Sequence, residues 1–212
     1  MAQRFALFST STDLAKEYNA QPVAGFDWKA RYSIAPGSTV PVVLQPKPSA
    51  TYLTELTWKG VITMEELLSS PDSKRQLQRQ RCIIPANGFF EWQKIYETKI
   101  PFYVRLLRRP LFAFSGVYEV EFGENGAPVS GSVSILTTKV NAILEPVNTV
   151  MPLILRYKDI PGWLDPVHSD LEALDALNKP YASEEMAVYR VGNANNDENP
   201  EDSEALIAPK DV

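Results

Sequence analysis

Apolar and polar residues alternate along 51–58, TYLTELTW, where Tyr52, Leu56 and Trp58 share one face with Thr54. A period of two is that of a half-buried strand. The stretch TVPVVLQ (39–45) reads as another strand. RCIIP, GFFEWQ, PFYVRLL, PLFAFSGVYEVEF, SVSILTT and MPLIL come next, rich in β-branched and aromatic residues and separated by Pro, Gly or Asn punctuation such as RRP and GENGAP. Helical spacing is confined to short pieces. STDLAKEY (11–18) carries polar capping residues ahead of a helix-like run, and Thr63-Met64-Glu65-Glu66 and Ser169-Asp170-Leu171-Glu172 both fit the reciprocal N-terminal capping box, so each predicts a helix start. Consecutive strands on short connections predict an α+β fold whose sheet is mostly antiparallel and strongly curved, with short flanking helices. There is no strand-helix-strand alternation and no glycine-rich phosphate fingerprint, which argues against a dinucleotide fold.

With 212 residues, 44% of them hydrophobic, the chain is long enough for one substantial core, and a single domain over 1–212 is expected. No apolar run approaches a membrane span, and the start, MAQRFALFSTSTDLAKEY, lacks the charged-then-apolar layout of a signal peptide, so a cytoplasmic location is expected. One cysteine excludes an internal disulfide and a cysteine-rich zinc site, and one histidine, His168, leaves little for imidazole chemistry. No metal or cofactor is expected. The net charge of −5 argues against a non-specific nucleic-acid binder. It is unevenly spread: Lys74, Arg75, Arg79 and Arg81 form one basic run, Arg105, Arg108 and Arg109 another, and Asp197, Glu198, Glu201, Asp202 and Glu204 crowd the C-terminal segment. Such runs are either solvated faces or, for the cations, a patch that tracks phosphates.

The candidate chemistry lies in residues 81–92, RCIIPANGFFEW. Cys82, inside an apolar run, reads as a small buried hydrophobe. A Cys82, His168 and Glu91 hydrolase is the sharper alternative, although nothing in the sequence ties His168 to Cys82. Glu91 differs, because a carboxylate among three aromatic rings must be partnered or have its pKa raised by desolvation. It is either a member of a structural ion pair or a general acid or base.

RCIIPANGFFEW resembles the RCLIPADGFYEW signature of the SOS response-associated peptidase (SRAP) family, the abasic-site-processing proteins. Further likenesses run along the chain in order: Arg4-Phe5, Arg31-Tyr32-Ser33-Ile34-Ala35-Pro36, Trp58 before a glycine, Ile135-Leu136-Thr137-Thr138, Val150-Met151-Pro152-Leu153-Ile154-Leu155, Gly162-Trp163-Leu164-Asp165 and Val191-Gly192-Asn193. The resemblance implies a pseudo-barrel whose groove binds single-stranded DNA, here through Arg4, Ser33, Trp58, Trp92 and Thr137. It also implies a processed N-terminus that meets an abasic site. In the family that terminus is a cysteine. Its α-amine, of pKa about 8, condenses with the ring-opened sugar aldehyde, and its thiol then closes a thiazolidine.

The chain departs from the family at the decisive places. The nucleophile position is Ala2, the glycine after it is Gln3, the catalytic histidine position is Asn148, and the arginine of the RMP motif is Val150. An amide donates hydrogen bonds but does not carry a proton in and out near neutral pH. The family's Asn-Ala-Arg segment has no match between Trp58 and Arg81. Of the catalytic set Glu91 survives. Three readings remain: a protein that binds single-stranded or abasic DNA without the stable crosslink; one whose Ala2 amine forms a transient Schiff base with Glu91 assisting; and a non-catalytic module that binds a protein partner on the same fold.

Overall fold

The structure, a computed structural model, describes residues 4–196 and 200–210. Five strands close on themselves: β4 (Thr39–Lys47), β5 (Ala50–Thr63), β6 (Arg81–Ala86), β9 (Phe112–Phe122) and β10 (Pro128–Lys139). Around this ring β10, β9, β6, β4 and β5 pair antiparallel in succession, and β5 then meets β10 in parallel. The parallel step is a matter of parity, because four reversals restore the chain direction. Closure also satisfies strand edges that would otherwise stay open. The short strands β2 (Gln21–Pro22) and β11 (Val150–Pro152) add to β5 and β10.

A second, wholly antiparallel sheet has the order β12, β8, β7, β1, β3, formed by β1 (Arg4–Leu7), β3 (Arg31–Ile34), β7 (Gly88–Ile95), β8 (Thr98–Leu106) and β12 (Met186–Arg190). The α+β class and curved, mostly antiparallel sheet predicted from the sequence are both present. The chain passes from barrel to second sheet within the RCIIPANGFFEW stretch, at Asn87. There the Asn87 Oδ1 accepts from the Phe8 and Ser9 N–H groups at 2.8 and 3.0 Å, and its Nδ2 donates to the Pro110 carbonyl at 2.6 Å. A larger core fills the barrel and the space between the sheets. A smaller cluster, Ala6, Phe90, Tyr103, Val191 and Leu206, lies under the C-terminal segment.

Helices α1 (Ser11–Glu17) and α2 (Met64–Leu68) start as predicted, α2 from a reciprocal Thr63 and Glu66 capping box. The expected box at Ser169 is corrected. Asp170 is the cap of α5 (Leu171–Asp175), and its carboxylate accepts from the Glu172 and Ala173 N–H groups. Two helices were not foreseen: α3 (Pro71–Arg79), capped by Ser70, and α4 (Ile160–Leu164). Their apolar content is too short a run to show periodicity.

Cys82 is fully buried, as expected of a packing residue, and burial pushes its thiol pKa well up. Arg81 fits neither reading of the 74–81 basic run, a solvated face or a phosphate-tracking patch, because it is buried. Its buried guanidinium donates five hydrogen bonds to the carbonyls of Leu77, Gln78, Trp163, Asp165 and His168, at 2.6 to 2.8 Å. Desolvation lowers its pKa to about 10. Arg81 is a brace between α3, β6 and the segment after α4.

Candidate functional site

The fold brings the start of β1 to Glu91. Arg4 pairs with Phe90 across the β1–β7 ladder, and Glu91 is the next residue. Alternation along β7 puts Glu91 and Gln93 on one face and Phe90 and Trp92 on the other. The first face meets the loop between β10 and β11. Asn148 Nδ2 donates to Glu91 Oε2 at 2.6 Å, and Gln93 Nε2 donates to the Pro146 carbonyl at 2.9 Å. Asn148 is oriented by the backbone of the next residue, since its Oδ1 accepts from the Thr149 N–H at 2.8 Å and so turns Nδ2 toward the carboxylate. The carboxyl is 0% exposed. Burial raises its pKa above the ordinary glutamate value, and the Asn148 amide works against the shift by stabilising the charged form. The arrangement can hold or exchange one proton at Glu91; toward that carboxylate Asn148 only donates a hydrogen bond.

The opposite face of β7 carries an aromatic and cationic pair. The Arg4 guanidinium lies 5.7 Å from the centre of the Trp92 ring and donates to the Asn195 carbonyl at 3.1 Å. Trp92 Nε1 donates to Asn196 Oδ1 at 3.1 Å. Asn195 and Asn196 belong to a short 3-10 turn, Asn193–Asn196, which therefore roofs both side chains. Trp92 keeps a partly exposed ring, whereas Arg4 is buried.

Other expected contacts separate from this centre. Trp58 is 1% exposed, packs edge-on against Phe5 and donates from Nε1 to the Gly60 carbonyl at 2.7 Å. It is core, and its expected place as a DNA contact is corrected. Thr137 is likewise buried, in β10 between β5 and β11. Ser33 lies at the second sheet's edge, where its N–H donates to Asp202 Oδ1 at 2.9 Å. The run at Lys74 and Arg75 is on α3, which packs on β6 and β9 of the barrel rather than on the sheet that holds Glu91. The hydrolase alternative fails on geometry, because Cys82 is sealed in the core while the His168 ring is exposed and faces Asp165 at 3.6 Å. Ala2, the nucleophile position, lies outside the described residues.

Sequence reasoning missed Gln93, Asn195 and Asn196, and marked Asp202 only as one of the acidic residues of the C-terminal segment. Only Gln93 had a signal: two residues after Glu91, it shares its face. Among the described residues no group of three or more His, Cys, Asp or Glu side chains could hold a metal ion, and no helix is long and apolar enough to cross a membrane.

The sequence matches the family described as SOS response associated peptidase (SRAP) over residues 1–197. The abasic site processing protein YoqW of Bacillus subtilis is 31% identical over 211 residues, covering 91% of this chain and 93% of that protein. YoaM of the same organism, also called an abasic site processing protein, is 29% identical and covers 98% of each chain. Among solved structures, a protein from Bacteroides thetaiotaomicron superposes with a TM-score of 0.82 at 20% identity, over 98% of this chain and 99% of that one.

Proposed function

Since the chain belongs to the SOS response associated peptidase family, we propose that it is a single-domain cytoplasmic DNA-damage-response protein that binds single-stranded or abasic-site DNA without the thiol-dependent crosslink. The observation that carries this reading is the buried Glu91, held at 2.6 Å by Asn148 and placed beside the first residue of β1. A proton-holding carboxyl next to an N-terminal strand suits chemistry or recognition at an amine and an aldehyde. Two losses limit that chemistry. An amine adds to an aldehyde to give a carbinolamine, and loss of water gives an imine. With Ala2 no thiol adds to that C=N bond, so water returns the imine to amine and aldehyde. With Asn148 in the histidine position, the proton traffic among the described residues rests on Glu91.

The test is a native and a denaturing gel with plain and abasic single-stranded oligonucleotides. The wild-type protein is expected to shift both in the native gel and to leave no band that survives denaturation without borohydride. Ala2→Cys, in protein whose Met1 has been removed, is expected to restore a denaturant-stable band with the abasic strand alone. A stable wild-type band would overturn the lost-crosslink reading. Absence of any association at low salt would overturn DNA binding and leave the protein-interaction module as the better account.

A further inference from the structure

Strand β3 pairs with β1 through a bulge: Phe5 faces Ile34 and Leu7 faces Arg31, so β3 spends three steps where β1 spends two. In a regular strand successive N–H groups point to opposite sides, and a bulge removes that alternation. Here the successive Tyr32 and Ser33 N–H groups converge on one acceptor, the Asp202 Oδ1, at 2.6 and 2.9 Å. The Arg31 Nε lies 3.9 Å from Asp202 Oδ2. Two backbone donors and a guanidinium around one point form an anion-binding concavity of the kind that accepts phosphate oxygens. The donors lie within the region that matches the family, which ends at residue 197, and the carboxylate lies beyond it.

We propose that this concavity on β3 is a phosphate site for a nucleic-acid backbone, and that Asp202 fills it from within the chain as a removable stand-in. The inference rests on the DNA-binding reading and adds regulation to it. The carboxylate is replaceable because its side chain is 37% exposed and Glu201 and Glu204 beside it are exposed as well. The segment is anchored separately further on. Leu206 is buried, its carbonyl accepts from Asn195 Nδ2 at 2.9 Å, and the Lys210 N–H donates to the Arg190 carbonyl at 2.9 Å. Residues 200–202 can therefore lift while the 3-10 turn Glu204–Ile207, with Ser203 as its N-cap residue, stays docked with 208–210. Residues 200–202, with Asp202, act as a gate: a DNA strand gains the β3 site only by displacing a carboxylate held at high local concentration.

The full chain and its Asp202→Ala and Asp202→Asn variants are titrated with labelled oligothymidylate, with anisotropy as the readout, and separately with inorganic phosphate, observed at the Tyr32 and Ser33 amides by NMR. Asp202→Ala is expected to tighten oligothymidylate binding about tenfold, the scale of losing a charge-assisted competitor. Asp202→Asn, whose amide oxygen still accepts but carries no charge, is expected to tighten it less and keeps the test valid if the alanine variant folds poorly. Phosphate is expected to move both amides in Asp202→Ala and neither in the wild type. If oligothymidylate binds no variant while phosphate moves the two amides, the site stands and the DNA reading falls. If DNA binds all three proteins equally and the amides stay still, the DNA reading stands and the gated site is wrong.

Discussion

Among the described residues of the site, Glu91 is the one titratable group whose environment sets a testable sign. Its folded-state pKa lies above the ordinary glutamate value of 4.5 because burial penalises the charged form. Between that value and the folded-state pKa the native protein binds more proton than the unfolded chain, so raising the pH through this window costs stability. The contribution is fully present below 4.5 and is lost as the pH passes the folded-state value. Glu91→Gln keeps an oxygen that can accept from Asn148 and has nothing to titrate. Denaturation at about pH 5 and about pH 8 should therefore show the wild type losing more stability than the variant on going to the higher pH. An equal loss in both would mean that Glu91 is not the proton holder. The glutamate was legible in the sequence because a carboxylate among aromatic residues cannot be left unprovided for. Its partner, 57 residues away along the chain, was reached only through the likeness to a family motif; local pattern carries no such information.

At the scale of elements, the RCIIPANGFFEW stretch proves mostly architectural. Cys82 packs, its carbonyl accepts from Trp163 Nε1 at 2.8 Å, Arg81 braces, and Asn87 pins the bend between the two sheets. Gly88 has a steric reason to be what it is: a Cβ there would lie 2.2 Å from the Tyr103 ring. Gly88→Ala should thus destabilise the protein by roughly 1–3 kcal/mol through overpacking, read as a lowered denaturation midpoint. An unchanged midpoint would show that Tyr103 yields freely. Strands were readable because alternation and β-branched content mark them over many residues, and both observed capping boxes at predicted helix starts mark α1 and α2. Helix α3 was not readable, since Leu77 is its one buried apolar residue and its cations suggested a binding patch. The bulge in β3 was equally hidden. Nothing in Arg31-Tyr32-Ser33-Ile34 marks it, because it arises from how β1 and β3 meet.

Across the whole molecule, the question is which face a DNA strand would track, and the fold separates two sets of cations that the sequence presents as equals. Lys74 and Arg75 stand on α3 against the barrel. Arg4 and Arg31 stand on the second sheet with Trp92 and the bulged edge of β3, and this sheet holds Glu91. Arg4 is buried under Asn195, so Arg4→Ala would also cost stability and is a poor probe by itself. Arg31, about one third exposed, is the better one. A strand lying on the second sheet should lose affinity in Arg31→Ala, and the dependence of log K on log salt should become shallower by about 0.7, the value for one phosphate contact with a single strand. The double variant Lys74→Ala and Arg75→Ala should leave both affinity and slope unchanged. The opposite pattern would move the DNA path onto α3 and detach it from Glu91. Both variants alter net charge in the same direction, with the double variant changing it more, so a general effect of this acidic protein's field would weaken binding most in the double variant. A weaker Arg31→Ala beside an unaffected double variant would therefore be a local contact, and it would put the DNA on the sheet whose edge Asp202 now occupies.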